Sequence, residues 1–272
     1  MVDLKKLEDK LNKALVNETK ESLTDWLNVQ RNKIRTTDLI IIGDLHGLWD
    51  TLFYHIKQLK LNDITIIVAG DCGFGFEKPE YYTQTYNKFK KYLLENNVHI
   101  LFIRGNHDDP SYFNGENTIN LPNFRTLKDY TVLEFNDKKI LCVGGGVSID
   151  RITRTLNKSY WYGEEFVFNA ELMPVEPITH IITHVFFVLP QLNKSGLIKE
   201  FSKDDDKLIL ALDIEKKNVE FMFNFIKEKG WDIKHWYFGH YHMDLDFLYE
   251  GIECSCIDML QYKHKLSYIL LR

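Results

Sequence analysis

The chain has 272 residues, room for one large domain or two small ones, and at 44% hydrophobic and 14% aromatic it can bury a sizeable core. A formal net charge of -5 supplies no field for holding a nucleic-acid backbone nonspecifically. The start, MVDLKKLEDK, lacks the apolar centre of a signal peptide, no apolar run approaches the roughly 18 residues of a membrane span, and Cys72, Cys142, Cys254 and Cys256 show neither zinc-pair spacing nor a disulfide framework, so reduced thiols in the cytoplasm are expected.

Residues 3–34 carry helical periodicity, with Leu4, Leu7, Leu11, Leu15, Leu23, Trp26 and Leu27 at three- and four-residue steps. They are read as an N-terminal helical extension, residues 1–35, ahead of a domain spanning 36–272. Such a helix packs on the domain or serves as a partner-binding or dimerising surface.

The apolar run 39–42 reads as a buried strand and ends in Gly43-Asp44-Leu45-His46-Gly47. A helix over about 49–59 follows, with Leu52, Phe53, Ile56 and Leu59 on one face. The run 64–69 ends in Gly70-Asp71-Cys72-Gly73, and a helix over about 82–95 leads to a third run, 100–103, that ends in Gly105-Asn106-His107-Asp108. This βαβαβ order predicts a parallel sheet with right-handed crossovers. Residues 131–135 and 140–143 form a predicted hairpin. Residues 144–146 are three glycines, 164–172 read as a helix, and 178–182 as a strand entering Thr183-His184. Residues 190–206 read as an irregular surface insertion and 208–229 as a helix. The run 235–238 enters Gly239-His240-Tyr241-His242, and the remainder reads as short antiparallel strands.

Five apolar strands thus end in Asp, Asn or His. In open α/β sheets, ligands sit beyond the carboxyl ends of the strands. One such turn alone reads as a cap or a hydrogen-bonded pair; five in order point to a single site. The donors are Asp44, His46, Asp71, Asn106, His184, His240 and His242. They are too many for one tetrahedral zinc. They fit two ions sharing a carboxylate, an arrangement that clamps the attacking and leaving oxygens of an in-line displacement. Oxygen and imidazole donors without thiolate suit Mn, Fe or Zn. His55, His99, His180, His235 and His264 lack this context and read as ordinary histidines.

Gly43-Asp44-Leu45-His46-Gly47, Gly70-Asp71, Gly105-Asn106-His107-Asp108, Thr183-His184 and Gly239-His240-Tyr241-His242 together resemble the calcineurin-like metallophosphoesterase superfamily, over roughly residues 37–258. Residues 144–150, followed by Arg151 and Arg154, resemble a segment of its small bacterial and phage members. The resemblance implies an α/β fold: a four-layer α-β-β-α sandwich of two mixed sheets, with a dinuclear metal site at the strand ends. It implies that Asp44, His46 and His242 hold one ion, that Asn106, His184 and His240 hold the other, and that Asp71 bridges them. A hydroxide between the ions would attack phosphorus. His107 would be the general acid, oriented by Asp108 or Asp44.

The Asp-Arg-Gly of protein Ser/Thr phosphatases is missing after Asp71, where the chain reads Cys72-Gly73-Phe74-Gly75-Phe76. Arg104, Arg151 and Arg154 are the remaining candidates for gripping phosphate; Arg104 reads equally as the partner of an acidic side chain. The expected function is hydrolysis of phosphomonoesters or phosphodiesters. Protein phosphatase, nuclease acting on short oligonucleotides, and non-catalytic scaffold are the alternatives on the same fold. Substrate choice is assigned to loops 73–80, 110–125, 144–162 and 185–206. Their aromatics, Phe74, Phe76, Tyr112, Phe113, Tyr160, Trp161, Tyr162, Phe186 and Phe187, either stack on a substrate ring or form local core.

Overall fold

The computed structural model describes residues 32–188, 195–260 and 268–271. The expected N-terminal helix lies outside the described residues, except that Lys33–Ile34 form a short strand, β1.

Strands β2 (Asp38–Ile42), β3 (Ile64–Val68) and β4 (Val98–Phe102) are almost wholly Ile, Leu, Val and Phe. Side chains alternate between the faces of a strand, so an all-apolar strand requires both faces to be covered. One face takes Ile40, Ile42, Ile66, Val68, Ile100 and Phe102 into a core with Leu52, Phe53 and Ile56 of helix α1 (Trp49–Gln58) and Tyr82, Tyr86 and Leu93 of helix α2 (Pro79–Glu95). Pro79 opens α2, where its missing N–H is no loss. The other face takes Leu39, Ile41, Ile67, Leu101 and Ile103 into a second core against another sheet.

That second sheet contains β7 (Thr131–Phe135), β8 (Lys138–Val143), β9 (His180–Thr183), β10 (His235–Phe238), β11 (Leu245–Tyr249) and β12 (Ile252–Cys256). Its order is β1-β7-β8-β9-β10-β12-β11. Leu133, Phe135, Ile140, Cys142, Ile182 and Tyr237 face the first sheet. Leu141, Val143, Ile181, Trp236 and Phe238 face outward, onto Val219, Met222, Phe223 and Ile226 of the helix Leu208–Glu228. The first sheet is completed by β5 (Asn120–Leu121), β6 (Phe124–Thr126) and β13 (Tyr268–Leu271), in the order β13-β2-β3-β4-β6-β5. Within it β2, β3, β4 and β6 run parallel and β13 and β5 antiparallel. In the second sheet β8, β9, β10 and β12 run parallel, with antiparallel neighbours β7 and β11. The result is the expected α-β-β-α sandwich of two mixed sheets.

Two expected elements differ. Residues 164–172 are not a helix; only Ala170–Leu172 make a single 3-10 turn. Phe166 is buried, Val167 is exposed and Phe168 is half-buried, an alternation that belongs to an extended segment. The Phe168 N–H donates to Asn218 on the long helix, which holds the segment straight (3.0 Å). Residues 190–206, expected to be irregular, include a helix at Ser195–Phe201. The β11–β12 turn places Glu250 (φ 46°) and Gly251 (φ 87°) both in the left-handed region, the geometry of a tight two-residue hairpin.

Candidate metal centre

The carboxyl ends of β2, β3 and β4 meet those of β9 and β10 at one edge of the sandwich. Each supplies a turn, and those after β2, β3 and β10 hold part of their backbone in the left-handed region. His46, Asp71, His240 and His242 all have φ between 46° and 68°, a conformation few non-glycine residues adopt. Such turns aim a side chain back over the strand end, and they persist where surrounding structure holds them. The motif glycines are needed for close approach. A Cβ on Gly70 would collide with the His184 imidazole, one on Gly105 with Asp71, and one on Gly239 with the Asp44 carboxylate.

Among the described residues the turns gather three overlapping groups that could hold an ion: Asp44 with His46 and His242, Asp71 with His184 and His240, and His46 with Asp71 and His107; the first two match the ligand sets expected from the sequence. In the first, His242 Nε2 lies 3.0 Å from Asp44 Oδ2 and 3.0 Å from His46 Nε2. In the second, Asn106 Oδ1 lies 2.9 Å from both His184 Nε2 and His240 Nδ1. Asp71 stands between them. Its Oδ2 is 3.8 Å from His46 Nε2, and its Oδ1 is 3.2 Å from His184 Nε2. All seven donors expected from the sequence are brought together.

These residues fit metal ions. Atoms bound at about 2.1 Å to one ion stand about 3.0–3.4 Å apart, and most of the donor pairs here, at 2.9–3.2 Å, are close to that spacing. Asp44 Oδ2 is buried and takes no hydrogen bond of normal geometry, a costly state for a carboxylate without another partner. Burial alone disfavours ionisation of Asp44 and Asp71. The charge on His184, joined by hydrogen bonds from His242 and His46 at Asp44 and by the charges of His107 and His46 at Asp71, together outweighs it and holds both below the ordinary carboxylate range. His184 balances them in turn: against the effect of its burial, Asp71 and Asp44 push it up to about 10. A bound cation would take over the task of that proton.

Backbone groups fix the orientations. The Ala69 carbonyl can only accept, so His184 carries its hydrogen on Nδ1 (2.8 Å) and turns Nε2 to the site. The N–H of His240 donates to Asp44 Oδ1 (2.9 Å), and that of His107 to Asp71 Oδ1 (2.7 Å). The Asn106 amide donates through Nδ2 to Ser148 Oγ (3.0 Å). Ala69 and Ser148 escaped the sequence reading. Ser148 had a faint signal, as a lone hydroxyl in the apolar, glycine-rich run 144–149.

The structure separates the remaining candidates. Asp108 does not touch the His107 ring. Its two oxygens accept from the backbone N–H groups of Cys72, Gly73, Phe74 and Gly105 (2.7–3.0 Å), and it braces the loop after β3. Arg104 is buried and donates to the carbonyls of Gly163, Glu164 and Glu165 and to Asp129, so its guanidinium is not available to a phosphate. Arg151 makes a two-pronged pair with Asp205 (2.5 and 3.0 Å). Arg154 alone reaches the site. It meets both ring nitrogens of His107 (2.9 and 2.5 Å) and pairs with Asp150 (2.6 Å). Burial, with the charges of Arg154 and His46 acting against that of Asp71, pushes His107 down to about 4. The His107 ring stands edge-on to His46 at 4.8 Å, with Nε2 3.8 Å from Asp71 Oδ2.

Of the loop aromatics, Phe74, Tyr112, Phe113, Trp161 and Phe186 are buried core. Phe76 is half-buried, 6.2 Å from the His107 ring and nearly parallel to Trp161. Tyr160 and Phe187 are half-buried and Tyr162 is exposed.

Among the described residues no helix is long and apolar enough to cross a membrane. No curated protein matches the chain significantly. It is similar to a phosphopantetheinyl hydrolase from Mycobacterium tuberculosis, at 13% identity over 82% of this chain and 89% of that one (TM-score 0.40). It is also similar to a predicted phosphoesterase from Streptococcus pneumoniae, at 11% identity over 88% and 84% (TM-score 0.35). A third likeness is to vacuolar protein sorting 29 from Cryptosporidium parvum, at 14% identity over 86% and 84% (TM-score 0.34). The family model for calcineurin-like phosphoesterases matches residues 37–244, so five strand-end turns and the sandwich that carries them belong to a member of the calcineurin-like phosphoesterase family, whose chemistry is metal-dependent hydrolysis of phosphate esters.

Proposed function

We propose that the chain hydrolyses a small phosphate ester with two divalent transition-metal ions, Mn, Fe or Zn. The observation that carries this reading is Asp71, a buried carboxylate that turns one oxygen to each cluster. Asp44, His46 and His242 would hold the first ion, and Asn106, His184 and His240 the second. The ions supply Lewis acidity to the phosphoryl group and lower the pKa of the attacking water.

The chain's own residues do the rest. Arg154 turns from His107 and Asp150 to grip the phosphoryl oxygens of the substrate, in place of the absent Asp-Arg-Gly arginine. His107 is the general acid for the leaving oxygen. It is neutral in the free protein, so this role requires the negative charge of a bound phosphate to restore its proton. The half-exposed Phe76 ring offers a face to an aromatic leaving group. Four free, buried thiols support a reducing compartment such as the cytoplasm.

The test is a hydrolysis screen on Mn-loaded protein. It compares p-nitrophenyl phosphate, bis-p-nitrophenyl phosphate, cyclic nucleotides, a phosphopeptide and short DNA, with elemental analysis in parallel. We expect about two ions per chain and turnover of at least one small ester, both lost in Asp71→Asn. A single ion at saturating metal, or a fully loaded protein that hydrolyses none of these, overturns the reading.

A further inference from the structure

Asparagine is an ambiguous ligand. Its oxygen can bind a cation and its nitrogen cannot, and the two have nearly the same shape. Something must hold the Asn106 amide with Oδ1 toward His184 and His240. The groups behind it do this. Its Nδ2 donates to Ser148 Oγ (3.0 Å), which therefore accepts, and the serine's own hydrogen must go elsewhere. The Glu164 carboxyl takes the Ser148 backbone N–H on Oε1 (2.8 Å) and so fixes where that hydroxyl stands. Burial pushes the Glu164 carboxyl up to about 8, so its part is to hold the Ser148 backbone, and with it the hydroxyl oxygen that faces Asn106.

Both residues are 1% exposed, and Glu164 Oε2 is buried without a hydrogen-bond partner. A buried carboxyl with an orphaned oxygen is a liability to the fold, and hydrophobic packing gives no reason to keep one there. The loop that carries Ser148 is itself pressed against the site: a Cβ on Gly146 would stand 3.4 Å from Asn106 Oδ1 and 3.3 Å from His184 Cδ2.

We propose that Glu164 and Ser148 are positioning residues for the second metal subsite: the Asn106 Nδ2–H bond to Ser148 Oγ, with Ser148 held in place through its backbone N–H by Glu164, sets the direction of the Asn106 amide. This rests on the two-ion reading above.

The test is calorimetric titration of chelated full-length protein with Mn²⁺. Wild type should bind two ions; if it binds only one, the two-ion reading itself fails before any variant is compared. Ser148→Ala should weaken one of the two ions by about 10–100-fold, the usual effect of losing an outer hydrogen-bond partner, and leave the other within a few-fold. Glu164→Gln, which keeps an oxygen for the Ser148 N–H, should leave both ions near wild type, whereas removing that acceptor in Glu164→Ala should weaken the same ion. Glu164→Ala also serves if Ser148→Ala does not fold. The decisive comparison is made in an Asn106→Asp background. Aspartate presents oxygen in either orientation, so removing the Ser148 hydroxyl there should cost much less than in the wild type. Unchanged binding of both ions in Ser148→Ala and Glu164→Ala overturns the proposal. So does an equal loss in the Asn106→Asp background, which would make the hydroxyl a scaffold and not an orienting group.

Discussion

At the scale of single residues, the three arginines show what a sequence leaves open. Each lay close to a motif, and each had the right charge. Their partners decide between them. The carbonyls and Asp129 around Arg104, and Asp205 opposite Arg151, come from segments 25 to 61 positions away, invisible to local spacing. Arg154 faces His107. Arg154→Ala should therefore raise KM with a smaller loss in kcat, the mark of lost ground-state phosphate binding. Arg151→Ala should lower thermal stability by freeing a buried aspartate, and leave KM near wild type. The reverse pattern would exchange their roles. For His107, the expected result of His107→Ala is a protein that keeps both ions and loses roughly 10²–10⁴-fold in kcat on esters with poor leaving groups. On p-nitrophenyl esters the loss should be much smaller, because that leaving group needs little protonation. Equal losses on both, with metal content unchanged, would make His107 a phosphate-positioning group.

At the scale of elements, the parallel strands were legible because burial on both faces leaves an unbroken apolar run, and the Asp, Asn and His turns stand out against it. Helix α1, α2 and the helix Leu208–Glu228 were legible through their apolar stripes. The segment 164–172 misled because only Phe166 and Phe168 face its core, and two residues of spacing are too few to reveal a period. What the sequence could not show is why each turn carries glycine. Gly70 (φ 100°) has the His184 ring against the place of its missing Cβ, whereas Gly230 (φ 67°) has open space there. Both prefer glycine for the backbone, at a cost of about 1 kcal/mol for a side chain. Gly70→Ala should add the displacement of His184, so that metal binding falls at least tenfold. Gly230→Ala should lose only about 1 kcal/mol in stability, with metal binding unchanged. Equal metal affinities in the two variants would show that close packing at Gly70 does not set the position of His184.

At the scale of the whole molecule, the donors are divided between the two sheets. Asp44, His46, Asp71 and Asn106 follow strands of one; His184, His240 and His242 follow strands of the other. Between the sheets lies an apolar core that is non-directional and leaves their relative slide weakly specified. Ions taking ligands from both sides would fasten the two sheets at one edge. They would also relieve the crowding of two buried carboxylates that His184 and the neighbouring imidazoles otherwise balance. Removing metal should thus destabilise the whole sandwich and not merely its rim. At free metal about 100 times the dissociation constant, one such site adds about 2.7 kcal/mol to folding. For a domain of this size that is a rise of roughly 5–10 °C in Tm. The measurement is thermal unfolding of chelated protein with and without added Mn²⁺, alongside hydrogen exchange of β3 and β9. Binding should raise Tm by that amount and slow exchange in both strands, which belong to different sheets. A Tm that does not move when metal binding is confirmed would mean that the donors are already locked by the fold, and that the ions serve chemistry alone.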